Sequence, residues 1–364
     1  MNEKQEFNET INPELLKALV QAEGKLKEFE SESKKLEIIP WAEYRQIPMS
    51  EAKWRIKDLV PYAGIMTLVA PSGQKKTWLA LDMMRAISSG EPFLNNPEFA
   101  VTKSNVLYIE NESMPAVIQD RGKKLDFGET NEGIFFPTVD SNVMFKDDKS
   151  IQNLLTICKQ KNIGVIFFDT FSSTTDAVDS NSTDDIAKHY RKLRPLVNAG
   201  ISIVMIDHCR KTNTLHGRKN PNLYDVLGSQ YKVGAVDVVL MLSSDKDANV
   251  IEVYPMKSRL GKERKPFKVI MENVGTIDDY KVVMKYEGEI KEKEIQKNKA
   301  KTLILERLSI VDEAQTTQEL ISALKLQVGK NSVEEALLAM RNDPTIKVVK
   351  KGNTYNYSLI KEAS

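Results

Sequence analysis

The sequence predicts an α/β protein: a mostly parallel sheet flanked by helices, with an antiparallel edge, followed by a small C-terminal domain of helices and a hairpin. Three observations carry this. From residue 64 to about residue 240, short apolar, β-branched runs alternate with segments of helical periodicity, the rhythm of βαβ units. Beyond that, strands follow one another without helices between them, which calls for antiparallel neighbours at one edge. From Thr302 the pattern changes again, to three helices and a final pair of strands.

Residues 1–38 are rich in Glu and Lys, with Leu15, Leu16, Leu19, Val20, Leu26 and Phe29 at roughly helical spacing and Pro13 near the start. The stripe fits a solvated helix packed on a neighbouring subunit, and equally an arm with no fixed partner. After a connecting segment, residues 65–69 form a buried strand, 71–74 a Pro-Ser-Gly-Gln break, and Trp78, Leu79, Leu81, Met83, Met84 and Ile87 a helix. A strand, a tight loop and Lys-Thr at a helix start is the layout of a phosphate-binding loop. Backbone N–H groups and the helix N-terminus face the phosphates, the lysine reaches their outer oxygens, and the hydroxyl ligates Mg²⁺. Against G-x-x-x-x-G-K-[ST], Ala70 and Lys75 replace the two glycines, while Gly73, Lys76 and Thr77 are in place. The nucleotide-binding candidates are Ser72, Gly73, Gln74, Lys75, Lys76, Thr77 and Trp78. Trp41, Tyr44, Trp54 and Tyr62 flank a nucleotide base or simply pack.

A second strand (104–109) ends in Glu110-Asn111-Glu112, and carboxylates at strand C-termini of open α/β sheets sit where ligands bind. A third strand (133–139) and a helix (150–161) precede strand 163–168, which closes on Asp169. An apolar strand ending in Asp, about 90 residues after a phosphate loop, is a Walker B pattern whose carboxylate holds Mg²⁺ opposite Thr77. A helix to about Val197 and strand 201–206 lead to Asp207-His208-Cys209. From His208 to Tyr224 the chain carries Arg210, Lys211, Arg218 and Lys219 and no carboxylate, a basic loop or a plain solvated one. Strands at 235–242, 250–255, 267–271 and 280–284 complete the sheet.

Residues 286–301 are almost wholly charged or polar, a linker or a solvated helix start. The last domain reads as three helices, the second opened by Thr316-Thr317-Gln318-Glu319, and a hairpin turning at Gly352-Asn353. That is the winged-helix layout, and its eight basic and eight acidic residues leave protein contact and DNA contact both open. The expected domains are thus a helical arm (1–38), the sheet domain (39–285), a charged linker (286–301) and a winged-helix-like domain (302–364).

A chain of 364 residues suffices for one large and one small domain. Its net charge of +1 leaves no global footprint for nucleic acid or membrane, so any basic surface is local. Cys158 and Cys209 lack metal-ligand spacing and fit a reduced, intracellular protein. With no signal-peptide core and no apolar run near ~20 residues, the expectation is a soluble cytoplasmic protein with no membrane partner.

Over roughly residues 55–275 these motifs resemble the RecA-like ATPases of the RepA/DnaB type, the hexameric replicative helicase superfamily. The resemblance lies in KKTWLALDMMRAISSGEPFL, VLYIENESMP, IFFDT, DHCRK, GSQYKVGAVDVVLML and KSRLG. It implies a RecA-like fold and an ATP-hydrolysing, Mg²⁺-dependent homo-hexamer moving on single-stranded DNA, a helicase of a plasmid, phage or other mobile element. By the same resemblance, Lys76 and Thr77 hold the phosphates and Mg²⁺, Asp169 supports the Mg²⁺, and His208 reads the γ-phosphate. Glu112 orients and deprotonates the attacking water, with Glu110 the near alternative. Lys257 and Arg259 complete the neighbouring subunit's site, and Arg210, Lys211, Arg218 and Lys219 track DNA phosphates in the pore. The C-terminal domain would recruit DNA or a replication partner protein. A RecA-like regulatory or recombination ATPase that binds DNA without unwinding it fits the same motifs; a scaffold with an inactive loop is the third reading.

Overall fold

The computed structural model describes residues 38–47, 53–110, 113–138, 148–170, 183–209, 231–244, 249–277, 279–311, 313–343 and 345–360. The chain divides into two units, Met1–Glu51 and Ala52–Ser364. In the first, the described segment holds one helical turn, Trp41–Tyr44, whose rings stack at 6.2 Å and which buries no residue. That division falls at residue 51, inside the span 39–285 expected for the sheet domain.

In the second unit a hairpin of β1 (Trp54–Ile56) and β2 (Val60–Pro61) leads into β3 (Ile65–Ala70) and α1 (Lys76–Ser89). Then follow β4 (Asn105–Glu110), α2 (Pro115–Lys124), β5 (Ile134–Phe135), α3 (Asp148–Gln160), β6 (Ile163–Asp169), α4 (Thr183–Asn198) and β7 (Ser202–His208). A short helix α5 (Tyr231–Ala235) precedes β8 (Val238–Ser243), β9 (Val250–Ser258), β10 (Phe267–Gly275) and β11 (Tyr280–Glu289). Among the described residues, β3 to β11 build a nine-stranded sheet in the order β11-β10-β9-β8-β3-β7-β6-β4-β5. Strands from β8 to β5 are parallel, and β9, β10 and β11 add the antiparallel edge.

The parallel strands are covered on both faces, which is why β3 reads as an unbroken apolar run with every residue buried. Its alternate residues diverge. Met66 and Leu68 pack with α1 and α2, while Ile65 and Val69 pack with α3 and α4. Leu79 and Leu81 of α1 are buried, each contributing roughly 1.5–3 kcal/mol. The helix stops at Gly90, whose φ of 84° suits a residue without Cβ and whose N–H donates to the Ala86 carbonyl.

Several boundaries differ from expectation, each for a local reason. The strand expected over 133–139 shrinks to Ile134–Phe135, because Pro137 has no N–H to donate. β9 continues past Pro255, beside an irregularity in its pairing with β8 where Leu240 faces Pro255 and Val239 faces Lys257. β10 and β11 pair with each other out to Gly275 and Tyr280, beyond the reach of β9, and so outrun their apolar segments. Residues 286–301 divide between the end of β11 and the first half of α6 (Glu292–Ile310), the helix start of the two alternatives. No Gly or Pro breaks 292–310, Glu292 and Glu294 suit the helix N-terminus, and Ala300, Ile304, Leu305 and Leu308 anchor its second half.

The C-terminal domain adds β12 (Gln315–Thr316), α7 (Thr317–Leu324), α8 (Lys330–Ala339), β13 (Ile346–Lys351) and β14 (Thr354–Leu359). The three strands form an antiparallel sheet in the order β12-β14-β13, and Ile304, Leu320, Val333, Met340 and Tyr357 share a core of their own. α7 opens on a capping box: the Thr316 hydroxyl accepts the Glu319 N–H at 3.2 Å while the Glu319 carboxylate accepts the Thr316 N–H at 2.7 Å. Among the described residues no helix is long and apolar enough to cross a membrane.

Candidate active site

Residues 71–75 turn the chain from β3 into α1, and two of them are left-handed: Gly73 at φ 80° and Lys75 at φ 60°. Lys75 thus takes the conformation for which the loop pattern uses glycine, at a cost of roughly 1–2 kcal/mol. Ala70 is still in the strand and has no positive φ, so its methyl group is accommodated. The loop is braced from the residue that follows β8: Lys75 Nζ donates to Ser244 Oγ at 3.3 Å, and the Ser244 N–H donates to the Gln74 side-chain oxygen. Ser72 and Gly73 at the tip are exposed.

Lys76 is buried, and its Nζ donates to the carbonyls of Ala70 (2.9 Å) and Pro71 (3.0 Å). The same nitrogen lies 3.4 Å from Nδ1 of His208, the last residue of β7, which faces Ala70 in the ladder. Because β7 runs between β3 and β6, the carboxyl ends of all three strands converge at this point. Thr77 Oγ1 donates to Asp169 Oδ2 at 2.9 Å, and the buried Tyr108 hydroxyl donates to the same oxygen at 2.6 Å. Burial first, then the Asp169 charge, push the Tyr108 phenol well above its usual range, so it remains a donor. The hydroxyl and carboxylate of Thr77 and Asp169 form an all-oxygen donor set, which suits Mg²⁺ sharing its shell with phosphate oxygens. Among the described residues no cluster of three His, Cys, Asp or Glu offers an all-protein metal cage.

Glu110, two residues beyond Tyr108 on the same face of β4, stands beside Asp169 in the ladder, and its Oε1 accepts the Ser113 N–H at 2.6 Å. A cavity of about 700 Å³ opens next to Tyr108 and Glu110, with Ile118, Phe127 and Phe136 in its wall. Glu112, Arg210, Lys211, Arg218 and Lys219 lie outside the described residues.

Other candidates are placed elsewhere. Trp78 packs partly buried on the core with the Arg121 guanidinium 5.4 Å from its ring, leaving its backbone N–H as what it offers a nucleotide. Tyr62 lies under Arg55, whose guanidinium is 4.2 Å from the ring and donates to the Gly200 carbonyl ahead of β7 at 3.4 Å. That is the amino edge of the sheet, and Trp54 packs on the core, so neither flanks a base at the phosphate loop. Trp41 and Tyr44 belong to the first unit. Lys257 and Arg259 are not with Lys76. Lys257 Nζ donates to the carbonyls of Val233 (2.6 Å) and Val236 (2.8 Å), while Arg259 donates to the Gly234 carbonyl and, at 3.4 Å, to Asp237 Oδ1. Burial, then the charge of Arg259, lower the Lys257 pKa.

Three site residues escaped the sequence reading: Tyr108, Asp207 and Lys232. A tyrosine two positions before a strand-end glutamate was the one available sign, since period two puts both on one face. Asp207 and Lys232 form a buried ion pair at 2.8 Å, and nothing in the spacing of the two announces it.

A family model described as an AAA domain (AAA_25) matches residues 30–214 of the 364, just over half of the chain. No curated protein matches the sequence. Among solved structures, the flagellar accessory protein FlaH from Methanocaldococcus jannaschii is similar at 12% identity, over 63% of this chain and 91% of that one, with a TM-score of 0.41. The span of the family match runs from before β1 to beyond β7 and takes in the phosphate loop and the strand ends gathered around it, and the chain belongs to this family of P-loop ATPases.

Proposed function

We propose that the chain is one subunit of a homo-hexameric ring that hydrolyses ATP to move along single-stranded DNA, a replicative helicase of a mobile element. The observation that carries the ring is the separation of Lys257 and Arg259 from Lys76. Lys257 faces Val239 and Val239 faces Thr67, so Lys257 sits three residues, about 10 Å, down the sheet from Ala70. Arg259 is further toward the amino edge, its N–H donating to the Asp237 carbonyl at 2.9 Å. Two cations set away from their own phosphate loop in this way support a role in a neighbour's site.

In this reading Lys76 exchanges the Ala70 and Pro71 carbonyls for phosphate oxygens. Thr77 and Asp169 hold Mg²⁺, which neutralises charge on the phosphoryl oxygens. Glu112, or Glu110 two residues earlier, orients the attacking water and takes its proton, and His208 senses the γ-phosphate beside Lys76. The partner's copies of Lys257 and Arg259 stabilise charge in the transition state. The basic residues of 210–219 contact DNA phosphates, and that stretch departs from the nucleotide site itself, because the Cys209 N–H donates to the Ala70 carbonyl at 3.3 Å. The C-terminal domain, winged-helix-like in its element order, recruits DNA or a replication protein.

The test is ATP turnover with and without single-stranded DNA for the wild type, Lys76→Ala and Arg259→Ala. Stimulation by DNA that both substitutions abolish is the expected result. Hydrolysis indifferent to DNA, or surviving Arg259→Ala, refutes the motor in favour of a regulatory ATPase.

A further inference from the structure

We infer that Lys232 is a positioning residue that ties the phosphate-sensing end of β7 to the strand bearing Lys257 and Arg259, with α5 as the element common to both. The inference rests on the reading that these two cations act on a neighbouring chain. The side chains of Lys232 and Asp207 are 2% and 4% exposed, and their 2.8 Å pairing is what allows either charge to be buried. The first turn of α5 therefore cannot leave β7 without stranding a charge. Asp207 uses its other oxygen as well: Oδ1 accepts the His208 N–H at 2.8 Å. The pair thus fixes the backbone of the residue whose Nδ1 stands 3.4 Å from Lys76 Nζ.

The rest of α5 and the two residues after it are held by the two cations. Lys257 takes the Val233 and Val236 carbonyls, and Arg259 takes Gly234 and Asp237. Lys232 and Val233 are adjacent in a helix of five residues, about 7.5 Å long, so a displacement at Lys232 is passed to the carbonyl that Lys257 holds. A phosphate that draws Lys76 and His208 together would, through Asp207 and Lys232, shift the carbonyls that Lys257 and Arg259 hold. One chain's nucleotide state then sets whether its cations are free for the neighbour.

A mixing experiment with the full-length protein tests this. Chains carrying Glu110→Gln with Glu112→Gln keep Lys76, His208 and the cations but cannot activate water, and Arg259→Ala chains keep the site but lack a cation. Each is silent alone, and a one-to-one mixture regains up to about a quarter of wild-type turnover, since half the sites are intact and half of their neighbours donate Arg259. Lys232→Met is then placed in one chain or the other. Turnover of the mixture is expected to fall about tenfold with either placement, with KM for ATP changing only when the site-bearing chain carries the substitution. Because Lys232→Met leaves Asp207 buried alone, the apolar pair Asp207→Leu with Lys232→Met is run beside it, its denaturation midpoint confirming a folded chain. The same loss is expected. Full recovery when the cation-donating chain carries either variant overturns the relay while leaving trans action intact. No recovery in the parent mixture overturns trans action, and the relay with it.

Discussion

Tyr108→Phe isolates one hydrogen bond at the centre of the site. The substitution removes a single oxygen from a fully buried ring and leaves its packing against Phe136 and Phe167 in place. What is lost is a 2.6 Å donation to Asp169, a carboxylate that is itself 5% exposed and cannot recruit water freely. A hydrogen bond to a charged group contributes roughly 1.5–3 kcal/mol, and the low dielectric around this pair puts it in the upper part of that range. The unfolding constant of the nucleotide-free protein should rise by about one to two powers of ten. The denaturant midpoint should fall with the slope unchanged. Loss of the fixed carboxylate should also lower ATP turnover at saturating Mg²⁺, by about tenfold. The assay is a double-mutant cycle with Asp169→Asn, read both as stability and as turnover. A coupling between the two positions below about 0.5 kcal/mol would refute the argument, because it would mean that the phenol packs beside Asp169 without holding it.

Two further outcomes follow from the backbone and from burial. Lys75→Gly should leave stability equal or raise it by up to about 1 kcal/mol, because glycine enters the left-handed region freely, whereas Lys75→Val should destabilise, because a β-branched residue tolerates positive φ less well than lysine. A glycine variant clearly less stable than wild type would show that the Lys75 side chain, through Ser244, outweighs the strain. His189 is buried, and desolvation, then Lys192 and Lys232, lower its pKa from 6.5 to about 4. The unfolded chain therefore binds the extra proton between those values. The contribution is fully present above about pH 6.5 and is lost as pH falls toward 4, by up to about 3 kcal/mol. His189→Gln should flatten that part of the stability profile, and an unchanged acid limb would exclude His189 as its cause.

The strands around the phosphate loop were legible because each is buried on both faces and so is written as a continuous apolar run, from β3 through β6 and β7. The strand-loop-helix turn was legible from Gly73, Lys76 and Thr77 despite Ala70 and Lys75, since Ala70 keeps a strand conformation and Lys75 takes up the left-handed one. Boundaries were less so. The charged start of α6 looks like a linker in composition, and only its docked second half shows that the helix continues through it. By itself the sequence determined the α/β class, the order of elements and the residue types able to bind phosphate, because hydrophobic period and local loop chemistry are properties of neighbours in the chain. Only the tertiary structure decided that Tyr108 and Thr77 share one Asp169 oxygen, that Asp207 and Lys232 bury their charges together, and that Lys257 and Arg259 lie away from their own phosphate loop. Those relations are set by strand order across the sheet, which places side by side residues with no regular spacing in sequence.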